Sequence, residues 1–143
     1  MREIKFRGKR LLSEDWEYGN LIQRPDGGHF IETGDMRLCP MQDFSIGQFT
    51  GLHDQNGKGI YEGDIIRFVW TDYVGKGKNK VPVLKYVENS PPKVISYRTG
   101  AFGYVNFEAD EYSEEEWLPI LDDPCEVIGN IHDNPELLKT KVI

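Results

Sequence analysis

His53-Asp54 and His132-Asp133 are the pairs in this chain whose residue types could do chemistry. An imidazole beside a carboxylate offers two ligand types for a transition metal, and two such pairs brought together would offer four donors. Spacing works against that arrangement. Neighbours on a strand point to opposite faces, so only turn geometry could aim both members of a pair at one ion. Asp54, Asp64 and Glu62 are the carboxylates a metal-dependent hydrolase would draw on. Acid/base work needs two carboxylates in different environments, and spacing does not supply that difference. The chain has no Gly-x-Ser-x-Gly elbow, Walker loop or dinucleotide fingerprint, and Gly75-Lys76-Gly77-Lys78 lacks the Walker spacing. Ser45 and Ser96 stand in no recognisable His/Asp context. The residues therefore point away from an enzyme: no catalytic residue, cofactor or metal is assigned, and hydrolysis is the weakest of the alternatives.

Both pairs lie inside runs that read as architecture. The first, Gly47 to Ile66, is a strand, a Gly-rich polar turn at Asp54-Gln55-Asn56-Gly57, and a restart at Ile60-Tyr61. Asn-Gly readily takes the left-handed conformations a hairpin needs. Glu62-Gly63-Asp64 then turns the chain into Ile65-Ile66-Arg67-Phe68-Val69-Trp70, which is apolar on both faces and is therefore placed centrally in a sheet. The second run, Val127 to Leu138, is an apolar strand followed by a short helical turn. Asp133 or Asn134 caps that turn and Pro135 takes its first position. Gly51, Gly57, Gly63, Asp64, Gly129, Asn134 and Pro135 are read as structural markers of these turns.

The rest of the chain follows the same pattern. Ile4 and Phe6 alternate with Lys5 and Arg7, the period of a half-buried strand. Trp16 to Ile22 and His29-Phe30-Ile31 flank the turn Pro25-Asp26-Gly27-Gly28, making a small N-terminal β-meander. Gly75 to Lys80 is a basic loop, placed within a connection at 71–80. Strands are expected at Val81–Val87, Val94–Tyr97 and Phe102–Phe107, and a capping box at Ser113-Glu114-Glu115-Glu116. Many short strands, 15 glycines and little helix give an all-β protein. The division expected is residues 1–46 as an N-terminal β subdomain and 47–143 as a second β subdomain of one compact unit.

Composition bounds the function classes. The 143 residues are 38% hydrophobic and 12% aromatic, enough for a packed core. Cys39 and Cys125 are far apart and lack ligand neighbours, so they are expected as buried thiols. No apolar signal core follows the basic start, and no stretch is long enough to span a membrane. The expectation is a cytoplasmic protein with no membrane contact. Net charge is −7 but uneven: residues 108–126 hold nine acids and no Lys or Arg, while Lys76, Lys78, Lys80, Lys85 and Arg98 make the middle basic.

Phe6-Arg7-Gly8-Lys9, Trp16-Glu17-Tyr18-Gly19 and the two long runs, in that order, make a set that resembles the YopX family of phage and prophage proteins. The resemblance implies a mostly-β fold with a small SH3-like, partly open barrel after the N-terminal β part. It implies carriage on phage or prophage genomes in a bacterial host. It offers no catalytic residues to carry over.

Two binding readings remain. Small barrels bind single strands by stacking aromatics in a basic groove, and Tyr73 and Tyr97 lie amid Lys76, Lys78, Lys80, Lys85 and Arg98. The negative total opposes this. The first reading is a protein-interaction or assembly module: exposed sheet edges recruit strands, and the uneven charge offers complementary ends for self-association or for a phage or host partner.

Overall fold

A computed structural model describes residues 3–88, 90–98, 101–106, 117–119 and 123–138. The capping box at 113–116 and most of the acidic stretch lie outside the described residues. The described chain is mostly β: two antiparallel sheets and three 3-10 turns, with no α-helix among the described residues. It divides into two units, residues 1–52 with 59–62, and residues 53–58 with 63–143.

The first unit contains β1 (Phe6–Lys9), β2 (Trp16–Gln23), β3 (His29–Glu32), β4 (Leu38–Pro40), β5 (Gly47–His53) and β6 (Gly59–Tyr61), in the order β4-β3-β2-β1-β5-β6. The meander read from the sequence is the β1–β2–β3–β4 part, with Phe6 opposite Gly19 and Ile31 opposite Cys39. Period-two alternation sends Ile31, Cys39 and Met41 into the interior, where Phe6, Leu21 and Ile46 pack against them. A second cluster is aromatic. Phe49 and Tyr61 lie 5.3 Å apart, Tyr18 meets Tyr61 edge-on at 5.5 Å, and the buried Arg7 guanidinium sits 4.7 Å from the Trp16 ring and 4.9 Å from the Tyr61 ring. A cation between two ring faces exchanges water for π-electron density.

The second unit contains β7 (Asp64–Val74), β8 (Val81–Tyr86), β9 (Lys93–Arg98), β10 (Ala101–Asn106), β11 (Trp117–Pro119) and β12 (Cys125–Asn130). Their order is β11-β10-β9-β7-β12, with β8 added to β7. β7 is central, as its two apolar faces require, and Ile65, Ile66, Val69, Val94, Ile95, Phe102, Cys125 and Val127 are buried around it. The sequence led to a small partly open barrel; what the described pairings show is coarser, an open antiparallel strand order with no closed barrel. β7 is longer than its neighbours. It pairs with β12 only from Asp64 to Phe68, then runs on to Val74 with β8 beside it, where the sequence placed a connection. Among the described residues no helix is long and apolar enough to cross a membrane.

Candidate interaction ribbon

The marker runs meet in the second unit, and their polar groups hold backbone. Asp54 is buried; its Oδ1 accepts the N–H of Asn56 and of Lys58 at 2.9 Å each, and its Oδ2 accepts the Val127 N–H at 2.9 Å. Gln55 N–H adds a bond to Cys125 O at 2.9 Å. Gly63 donates to Ile95 O and accepts from Ile131 N–H, both at 2.9 Å. Its φ of 90° lies in the left-handed region that side chains disfavour. A Cβ on Gly129 would stand 2.6 Å from Asn134 Oδ1, the atom that accepts Asn130 N–H at 3.2 Å. Gly51 and Gly57 also have positive φ, Asp64 is buried on β7, and Pro135 opens the 3-10 turn Pro135–Leu138.

These contacts do not assemble a metal centre. His53 is exposed, and the turn carrying His132 and Asp133 is tied to Asn130, whose Oδ1 accepts both backbone N–H groups at 3.0 and 2.9 Å. Among the described residues no three His, Cys, Asp or Glu side chains are grouped to hold an ion. Burial, with help from the carboxylates of Asp54, Asp123 and Asp64, pushes the Cys125 thiol up to about 11, which leaves it protonated and unreactive at neutral pH. In the first unit an open groove of about 390 Å³ includes His29, Phe30, Met41 and Asp43. The His29 imidazole lies with Nδ1 3.0 Å from Asp43 Oδ1 but not in hydrogen-bonding geometry, and with Nε2 3.2 Å from Gln23 Nε2.

Exposed large side chains gather on β7 and β8. Phe68 O accepts Val87 N–H at 2.9 Å on one edge of β7, and Val69 N–H donates to Pro124 O at 3.0 Å on the other. Beyond Val69 the ladder among the described residues continues on the β8 edge, from Val69 opposite Tyr86 to Val74 opposite Val81. The result is a two-stranded ribbon. Cross-strand partners share a face, so Trp70, Asp72 and Val74 stand with Lys85, Val83 and Val81. Tyr73, Leu84 and Tyr86 occupy the other face. Trp70 is 46% and Tyr73 62% exposed, and all of β8 is exposed. A two-stranded ribbon by itself is marginal in water, and this one carries large exposed apolar residues on both of its faces.

The basic candidates fall on or near this ribbon. Lys76, Lys78 and Lys80 surround the 3-10 turn Gly77–Asn79 at its tip and are exposed. Lys85 Nζ is 2.7 Å from Asp72 Oδ2 and 5.8 Å from the Trp70 ring. The Lys85 bond, aided by the Tyr73 N–H, holds the Asp72 carboxyl below the usual value. Tyr97 is half exposed but packs edge-on against Phe102 at 4.9 Å, and Arg98 ends β9. The structure thus places Tyr73 near the end of β7 and the lysines at the turn that follows it, and ties Lys85 and Tyr97 into contacts of their own. Sequence reasoning missed Trp70, Val74, Val81, Val83 and Leu84 as surface groups. Their signal was an apolar alternation continuing on both sides of the basic loop.

No curated protein matches the chain. Among solved structures it is similar to protein EF1440 from Enterococcus faecalis, with 23% identity, a TM-score of 0.50, and coverage of 96% of this chain and 99% of that one. At that identity the likeness concerns the fold. The model of the YopX protein family matches residues 5–139, nearly the whole length, with both marker runs inside the match; the chain belongs to the YopX family.

Proposed function

We propose that this chain is a non-enzymatic protein-interaction or assembly module, carried by phage or prophage genomes and working in the bacterial cytoplasm, and that the β7–β8 ribbon is its contact surface. One observation carries the reading: the ribbon holds Trp70, Tyr73, Val74, Val81, Val83, Leu84 and Tyr86 exposed, on both faces of a two-stranded element. Burying such residues against a partner removes apolar area from water at about 25 cal/mol per Å². The polar groups of the marker runs are engaged in holding turns, which supports an architectural role for them. A photo-crosslinking residue placed at Tyr73 tests the reading in the producing cell. The expected result is a discrete protein adduct that disappears when Trp70 and Val83 are changed to Ser. Adducts with nucleic acid alone, or none at any ribbon position, overturn it.

A second reading rests on the tip. Lys76, Lys78 and Lys80 lie in and around the turn that follows β7, which carries the exposed Tyr73 ring near its end; basic groups and an exposed ring are what single-stranded nucleic acid uses for phosphate neutralisation and base stacking. Lys85 and Tyr97 contribute less, since each is already in contact with a neighbour. Single-strand binding measured at two salt concentrations, and again with the three tip lysines changed to Glu, decides it. Absent binding, or binding indifferent to the substitutions, removes it.

A further inference from the structure

We infer that the occupant of the ribbon is the ribbon of a second copy of this chain, joined antiparallel along the free edge of β7 about a two-fold axis; the inference rests on the interaction reading above. The edge is defined by direction. Val69 N–H points to the β12 side, and backbone groups alternate along a strand, so Thr71 and Tyr73 point the same way. No strand faces that edge beyond Pro124 among the described residues. Among the described residues β12 covers β7 up to Phe68, which leaves 70–74 without a strand on that side. A two-fold axis at Asp72 sets Thr71 against Tyr73 of the other copy, and each pair exchanges two backbone bonds. The Tyr73 N–H gives up its local contact with the Asp72 carboxylate to do so.

Charge selects a second copy over other partners. Four lysines against Asp72 leave the ribbon at +3, so with the chain at −7 the remaining residues carry −10. A tip of Lys76, Lys78 and Lys80 seeks an acidic surface. The edge is acidic at its root, where β12 begins: Asp123 is exposed and Glu126 follows it, with Arg67 opposite Glu126 across the ladder. Antiparallel pairing over five residues brings each basic tip to the other copy's Asp123. The two Asp72 side chains face each other at the axis, each already bonded to Lys85 at 2.7 Å. The faces bearing Trp70, Val74, Val81 and Val83 then become one four-stranded surface, wide enough for the apolar side chains to pack against one another.

Light scattering and sedimentation of the full chain test this. The wild type should weigh twice 16.5 kDa at micromolar concentration. Changing Lys76, Lys78 and Lys80 together to Glu, or Asp123→Lys alone, should weaken the dimer at least tenfold while the circular dichroism spectrum of the folded chain stays unchanged. Mixing the two variants should restore a heterodimer, because one acidic tip then meets the basic root. A strict monomer that still gives a Tyr73 protein adduct overturns the dimer and leaves the interaction reading standing. A monomer with no protein adduct, or with nucleic acid adducts only, overturns both. A dimer indifferent to both charge variants, or a mixture that stays monomeric, overturns the ribbon pairing.

Discussion

Asp54 Oδ2 accepts the backbone N–H of Val127 at 2.9 Å, joining two residues 73 positions apart in sequence. The other oxygen of the same carboxylate closes the 54–58 turn. One buried side chain thus shapes a hairpin tip and fixes that tip to β12. The Asp seen in the sequence as a candidate ligand or acid is occupied by three donors, the usual resolution for a buried carboxylate.

Asp54→Ala removes all three acceptor bonds and leaves the Val127 N–H buried without a partner. Hydrogen bonds to a charged group contribute about 1.5–3 kcal/mol each to stability. The urea midpoint should fall clearly. Asp54→Asn should fall by less, since the amide oxygen can serve one side and its NH2 group opposes the other.

Gly129→Ala puts a methyl group 2.6 Å from Asn134 Oδ1 and pushes away the acceptor of the Asn130 N–H. Overpacking of this kind costs about 1–3 kcal/mol. Pairing it with Asn134→Gly should cost less than the sum of the two single changes in denaturation, because the obstructing side chain is gone.

Cys125 should resist iodoacetamide at pH 8 in the native protein and react fully once unfolded. Its thiol is pushed up to about 11, first by burial and then by the Asp54, Asp123 and Asp64 charges, so almost no thiolate exists at that pH. Mass spectrometry after a timed pulse reads the difference.

Asp72 should titrate below 3.8 in the folded chain, because Lys85 donates to its carboxylate. A lowered folded value means that the stability from this pair is present above the ordinary carboxylate range. It is lost as pH falls through the lowered value. Carboxyl carbon shifts in an NMR titration should show the midpoint rising toward the ordinary range in Lys85→Gln.

Trp70→Ser and Val83→Ser should each leave the unfolding free energy, measured on the monomer, within about 0.5 kcal/mol of wild type, as surface changes do. Ile66→Ala, in the buried half of the same strand-and-sheet unit, should cost about 2–5 kcal/mol. The contrast separates the part of β7 that holds the fold from the part that protrudes.

The local features were legible in the residues. Asn56-Gly57 makes a turn because Gly accepts a positive φ, 82° here. Pro135 opens a short 3-10 turn because its missing N–H costs nothing there. Ile65 to Trp70 reads as a central strand because both faces carry apolar side chains, and Ile65 and Ile66 are buried. Each depends on side chains a few positions apart. Tertiary structure decided which edge pairs with which. It showed that β7 outruns β12, that the strand order stays open, and that Asp54 answers to Val127. Strand pairing is made by backbone groups that nearly every residue carries, so spacing in a sequence cannot name the partner, and an unpaired edge emerges only when all the strands have found their places.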